Sequence, residues 1–212
     1  MRKQYQRMYS RARHPEDLPW HREVVPPLLV AAADRIAGGR ALDLGCGTGT
    51  YATYLASRGL AVTAIDFTPR ALDMARERAS RLGVPVEFVE ADVLEWIGNG
   101  RFNLVLDSGC LHGISGTGRL AAYKQRLLEW LVPDGQYVLS HFVRRHWLDW
   151  RPVGPRRRTR EEVTSLFAPE LVERDYKDEV ERAPLPIGPT FKIGDYLFEP
   201  RSGPSGPTQS SQ

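Results

Sequence analysis

Residues 42–69 read LDLGCGTGTYATYLASRGLAVTAIDFTP. A short apolar run, ALDLG at 41–45, breaks into a turn with glycines at 45, 47 and 49. A helical pattern, YATYLASR, follows, and then a second apolar run, AVTAID at 61–66. Strand, glycine turn, helix and strand in that order form the unit of a parallel sheet. Glycines at such a turn let the chain reverse sharply and bring backbone N–H groups against a ligand. Asp66 ends the second run, 21 residues after Gly45, where a carboxylate can accept from the paired hydroxyls of a ribose. The spacing is GxGxG with Thr50 in the sixth place, a departure from the GxGxxG of dinucleotide folds. No GxxxxGK(S/T) occurs, which excludes a P-loop. The turn points to a nucleoside-like ligand at the carboxyl edge of a parallel sheet.

The same alternation continues outward. PRALDMARERASRLG at 69–83 predicts a helix, with Pro69 in its first turn and Gly83 as its C-terminal cap. Further strands are expected at VEFVEA (86–91), at FNLVLD (102–107) and at QYVLSHF, the last opened by Gly135 after a helix over 118–131. TREEVTSLFA reads as a short helix with Thr159 and Glu162 in capping-box spacing. LVERDYKDE and FKIGDYLFE follow, and the return between them is too short for a crossover helix, so these two strands should be antiparallel neighbours. Residues 1–38 are expected to form an N-terminal helical cap, 39–199 the catalytic domain, and the Pro/Gly/Ser-rich 200–212 a disordered tail.

Length and composition fit this reading. The chain has 212 residues, 42% hydrophobic and 26% charged, which suits one globular domain with a sizeable core. No stretch approaches 18 apolar residues, and the basic start has no apolar segment behind it, so neither a membrane span nor a secretory leader is expected. Two cysteines are too few for a disulfide framework or a paired zinc knuckle, and the expected compartment is the reducing cytoplasm. The net charge of +3 does not call for nucleic acid. Charge concentrates only between Arg144 and Arg160, where seven arginines stand against one acid, Asp149. That segment is either a solvated loop or a clamp for an anionic acceptor, with Trp147 and Trp150 as aromatic walls or surface anchors.

Taken together, LDLGCGTG at 42–49, AIDFTP at 64–69, EADVLEW at 90–96 and FNLVLDSGCLHGI at 102–114 resemble the class I S-adenosylmethionine-dependent methyltransferases. The segment DSGCLHG, Arg119 after it, and LPWHREVVPPLL upstream are similar to the thiopurine methyltransferase-like branch, which acts on small molecules. The resemblance implies a Rossmann-like α/β fold with helices on both faces of a seven-stranded, mostly parallel sheet that ends in an antiparallel hairpin. It also implies S-adenosyl-L-methionine as cofactor. The backbone through Gly45, Cys46, Gly47 and Gly49 would meet its methionyl part, with Asp43 organising the ammonium. Asp66 would take the ribose hydroxyls, Phe67 would pack on the adenine, and Asp92 and Val93 would serve its amino edge. Trp20 either closes over the cofactor or acts as a core residue.

On the acceptor side, the loop after the fourth strand supplies Asp107, Ser108, Cys110 and His112. Asp107 is assigned to both the cofactor and the catalytic set. His112 is either the general base or a loop-bonding histidine, and Arg119 would stabilise an anionic acceptor. A thiol or thiopurine can ionise without a base. The expected partner is a small-molecule acceptor methylated on S, N or O, with no metal, no membrane and no nucleic acid. Two alternatives remain in view: a nucleic-acid base methyltransferase, disfavoured because DSGC stands where an Asn-Pro-Pro-Tyr-type motif would be, and a non-catalytic cofactor-binding scaffold.

Overall fold

A computed structural model describes residues 2–36, 38–98, 100–144, 156–182 and 190–201. Before the sheet come α1 (Arg2–Arg11), a 3-10 turn at Pro15–Asp17, and α2 (Pro27–Asp34). The alternating part runs β1 (Arg40–Leu44), α3 (Thr50–Ser57), β2 (Ala61–Asp66), α4 (Pro69–Leu82), β3 (Val86–Glu90) and β4 (Phe102–Ser108). It continues through a 3-10 turn at Leu111–Gly113, α5 (Thr117–Trp130) and β5 (Leu131–Val143). The chain then forms α6 (Arg160–Phe167), β6 (Leu171–Arg182) and β7 (Thr190–Pro200).

The strands make one sheet in the order β3-β2-β1-β4-β5-β7-β6. β1 to β5 pair in parallel, and β7 is antiparallel to both β5 and β6. Six strands therefore point the same way and β7 alone is reversed, as expected from the resemblance. The order reverses beside β1, and the crevice beyond the carboxyl ends of β1 and β4 is where an open α/β sheet binds its ligand.

Local chemistry sets the element ends. Gly83 caps α4 in the left-handed region at φ 66°, accepting no Cβ penalty. Thr159 accepts from the Glu162 N–H and the Glu162 carboxylate accepts from the Thr159 N–H, closing the expected capping box of α6. The fifth strand begins earlier than Gly135. Leu131 already pairs with Phe102, and an irregularity then carries Val132–Gly135 out of register before Gln136 meets Leu104. Pro133 falls in that irregularity, so its missing N–H interrupts no ladder bond.

Both sheet faces are covered. Leu42, Leu44, Val105, Leu139, Tyr196 and Phe198 bury against α5 and α6, whereas Ala41, Ala64, Leu104, Leu106, Val138 and Leu197 meet α2 and α3. The segment expected as one cap divides. α2 contributes Leu28, Leu29, Ala32 and Ala33 to the layer under the sheet. Tyr9 of α1, with Ala12 and Leu18 after it, packs against Ala71 and Met74 of α4. That small core fixes α1 over the carboxyl edge. Among the described residues no helix is long and apolar enough to cross a membrane.

Candidate active site

The glycine turn is bounded by buried carboxylates. Asp43 is 2% exposed, and its Oδ2 is buried without a hydrogen-bond partner. Burial, reinforced by the nearby Asp107 and Asp66 charges, pushes its carboxyl up to about 8. Asp66 accepts from the Gly47 N–H at 3.1 Å and the Thr68 N–H at 2.8 Å, and burial raises its carboxyl despite these donors. Each carboxylate oxygen keeps a lone pair for a further donor. Gly47, at φ 55°, admits the Tyr9 hydroxyl, which a Cβ there would meet at 2.8 Å. A buried carboxyl with an orphaned oxygen ionises only at a cost, and a cation beside it stabilises the ionised form. The ammonium and sulfonium of S-adenosylmethionine fit that requirement.

Further along the edge, Asp92 accepts from the Leu94 N–H at 3.0 Å and pairs with Arg2 at 3.5 Å. The same guanidinium lies 5.2 Å from the Phe67 ring centre, so Arg2 of α1 covers both residues expected at the adenine. Val93 is half-buried and packs against the main core. Trp20 sits edge-on to Tyr5 and Tyr9, and its Nε1 donates to the Tyr9 hydroxyl at 3.3 Å. It braces the two tyrosines. Cys46 and Cys110 are free thiols pushed well up by burial and neighbouring carboxylates, which makes them poor nucleophiles.

Two members of the expected catalytic set have other surroundings. Asp107 is 0% exposed, and accepts from the Cys110 N–H at 2.7 Å, the Leu111 N–H at 2.9 Å and the Tyr123 hydroxyl at 2.5 Å. Burial raises its carboxyl to about 6. Its geometry is that of a residue folding the 108–111 loop, not one touching an acceptor. Arg119 lies exposed on the first turn of α5, and among the described residues it makes no hydrogen bond or ion pair with the loop.

His112 is placed in a cluster. Its Nε2 lies 3.1 Å from the Tyr5 hydroxyl, and its ring centre is 5.2 Å from Phe142 and 6.3 Å from His141. Its Nδ1 is buried and unpartnered. Burial, with a smaller effect from the Arg158 charge, pushes the imidazole down to about 4, so it is neutral at pH 7. His141, at the end of β5, is 1% exposed and meets Arg158 Nη1 at 3.2 Å. Arg158 is held there by a parallel bridge to Val143, in which Arg144 donates its N–H to the Arg158 carbonyl. Of the arginine-rich segment, Arg144 pairs with Glu162, Arg160 with Glu173, and Arg158 reaches His141. Trp147 and Trp150 lie outside the described residues. Among those described, no group of three His, Cys, Asp or Glu could hold a metal ion.

The sequence reading missed Tyr5, Tyr9 and His141. Tyr5 and Tyr9 did carry a signal: at i and i+4 they share one face of α1, the face that meets the glycine turn and His112. His141 had none beyond its alternation with Leu139 on a buried strand.

Sheet order, glycine cradle and buried acids together define the class: a Rossmann-like class I methyltransferase architecture. Residues 41–135 match the family model described as a methyltransferase domain. It is 31% identical over 139 residues to 2-heptyl-1-hydroxyquinolin-4(1H)-one methyltransferase of Mycobacteroides abscessus, a match covering 62% of this chain and 61% of that protein. A structure solved in work on conversion of a disulfide bond into a thioacetal group during echinomycin biosynthesis aligns with TM-score 0.70 and 26% identity, over 89% of this chain and 86% of that one. The Burkholderia thailandensis 1,6-didemethyltoxoflavin-N1-methyltransferase, solved with 1,6-didemethyltoxoflavin and S-adenosylhomocysteine, aligns with TM-score 0.60 and 25% identity, over 83% and 79% of the two chains. The chain thus spans about three fifths of the curated relative's length.

Proposed function

We propose that this protein transfers the methyl group of S-adenosylmethionine to a small aromatic acceptor. The observation that carries the reading is Asp43, a buried carboxylate with an orphaned oxygen beside a glycine turn, flanked by Asp66. Asp43 takes the cofactor's ammonium and Asp66 its ribose hydroxyls. Backbone from Gly45 to Gly49 lies along the methionyl part, and Phe67, Asp92 and Val93 form the adenine subsite once Arg2 moves aside. When bound, the cofactor supplies a methyl already activated on a sulfonium, so the protein needs to contribute little beyond orientation, dehydration and removal of a proton. Tyr5, Tyr9 and Trp20 on and after α1 exclude water from that edge.

His112 is the proton acceptor. Its low value reflects burial and, less, the Arg158 charge; an anion forming beside it favours the imidazolium and raises its basicity. The relatives support a heteroaromatic acceptor, since one is named for a hydroxyquinolinone and one binds didemethyltoxoflavin. A thiopurine-type acceptor, which the resemblance of DSGCLHG suggests, would leave His112 with no proton to take. The test is a screen of purified protein with methyl-labelled cofactor against hydroxyquinolones, phenols, thiopurines, heteroaromatic amines and oligonucleotides, read by product mass. Methylation of a small heteroaromatic is expected. Label in oligonucleotide alone supports a base methyltransferase, and cofactor binding with no product in any arm supports the scaffold reading.

A further inference from the structure

The cluster around His112 contains a second histidine with no assigned task. A guanidinium has only donors, so the 3.2 Å contact from Arg158 Nη1 requires His141 Nε2 to accept. A neutral imidazole accepting at Nε2 carries its proton on Nδ1. That N–H is buried and has no partner. An unpaired buried donor costs about 1–3 kcal/mol, which a strand end does not carry without a compensating role. Beside it, His112 has the complementary vacancy: Nε2 is engaged by Tyr5, and Nδ1 is buried and unpaired. The ring centres are 6.3 Å apart. Rings this close can be bridged by a single hydroxyl where their free nitrogens turn toward it.

We propose that His112 and His141 together bind the hydroxyl of the acceptor, so that the methylated atom is oxygen and His141 is a further catalytic residue. The inference rests on the methyltransferase reading above and deepens it. The acceptor oxygen accepts from His141 Nδ1–H and donates its proton to His112 Nδ1. As that O–H bond breaks, the oxygen forms a bond to the methyl carbon, and the carbon–sulfur bond breaks with its electron pair left on sulfur. His112 becomes an imidazolium whose Nε2–H donates to the Tyr5 oxygen. Tyr5 and Arg158 are positioning residues: Arg158 fixes the tautomer of His141, and Tyr5 holds the His112 ring through its Nε2. Phe142, 5.2 Å from His112, and Phe191, edge-on to Phe142 at 5.5 Å, supply apolar surface for the acceptor ring.

The test uses the full chain with 1-hydroxyquinolin-4(1H)-one as hydroxyl probe and 6-mercaptopurine as thiol probe. His141→Leu removes the donor, and His141→Asn returns an N–H near the Nδ1 position. Loss of the donor that orients the acceptor oxygen is expected to lower kcat/KM for the hydroxyl probe roughly 100-fold, with His141→Asn recovering most of it. Any rate with 6-mercaptopurine should change only a few-fold. Independently of turnover, the ultraviolet spectrum of the hydroxyquinolone bound with S-adenosylhomocysteine reports its ionisation, which should shift upward by about one pH unit or more in His141→Leu. Nitrogen-15 spectra of histidine-labelled protein should show His141 as the Nδ1–H tautomer. Failure of the hydroxyl probe to bind, an unshifted ionisation, or equal loss with both probes overturns the proposal. A shifted ionisation without methyl transfer to any acceptor leaves the histidine site standing and overturns the methyltransferase reading instead.

Discussion

Replacing Asp43 by asparagine keeps the shape of the side chain and removes a buried negative charge. With a carboxyl at about 8, Asp43 in the free protein is protonated in about nine molecules of ten at pH 7. A cofactor ammonium favours the carboxylate, so the bound value lies below the free one and binding expels nearly one proton at neutral pH. Affinity for S-adenosylhomocysteine should therefore rise about tenfold per pH unit as pH approaches 8 from below, then level off. A hydrogen bond to a charged group contributes about 1.5–3 kcal/mol, or roughly ten- to 150-fold in Kd. Near pH 8.5 Asp43→Asn should lose that whole factor. At pH 7 removing the proton already costs about 1.4 kcal/mol, so the variant should lose only about one- to 15-fold, and its affinity should be flat with pH. Calorimetry at one pH in phosphate and in Tris counts the expelled protons, because the two buffers differ in ionisation enthalpy. Equal heats in both buffers, with wild type and variant binding alike at pH 8.5, would refute the assignment of Asp43 to the ammonium.

Gly47→Ala puts a side chain on a residue at φ 55° and 2.8 Å from the Tyr9 hydroxyl, so thermal melts should show a loss of about 1–2 kcal/mol together with weaker cofactor binding. Asp107→Asn turns an acceptor of three hydrogen bonds into a mismatched amide; it should lower Tm sharply while S-adenosylhomocysteine affinity stays within a few-fold, whereas a catalytic aspartate would give the reverse. His112, down to about 4 when folded against an ordinary 6.5, contributes stability that is fully present above 6.5 and is lost as pH falls to about 4. Relative to His112→Gln, wild type should lose about 3 kcal/mol across that window in denaturant titrations.

The sheet and the glycine turn were legible because their signals are local. Glycines at 45, 47 and 49, Asp66 at a strand end, and Pro69 and Gly83 around α4 each obey a rule that needs only neighbours in the chain. The acceptor side was read less well, because it is assembled from distant segments. Tyr5 meets His112 across 107 residues, and Arg158 meets His141 only because a parallel bridge brings 158 beside 143. Asp107 misled for a related reason. A carboxylate at a strand end next to a loop reads as catalytic until Tyr123, 16 residues on, turns out to fill its last lone pairs. The irregular start of β5 was invisible because Gly135 looks like a strand opener, and only the pairing of Leu131 with Phe102 shows otherwise.

The distribution of charge along the carboxyl edge bears on how such a site would favour transfer over tight binding. Asp43 and Asp66 flank the glycine turn proposed for the cofactor, and Arg158 contacts His141, one ring removed from the proposed acceptor oxygen. In a displacement between a sulfonium and an oxyanion, both charges shrink on the way to the transition state. A guanidinium directly on the oxygen would stabilise the separated ions more than the transition state and so slow the step. Neutral N–H and lone-pair partners on two buried imidazoles orient the oxygen and take its proton without fixing a full negative charge there. Keeping Arg158 behind His141 sets the tautomer of that ring and keeps it uncharged, since a second cation against the guanidinium is disfavoured. The burial that depresses both histidines is, on this argument, what keeps the acceptor end neutral until the proton moves.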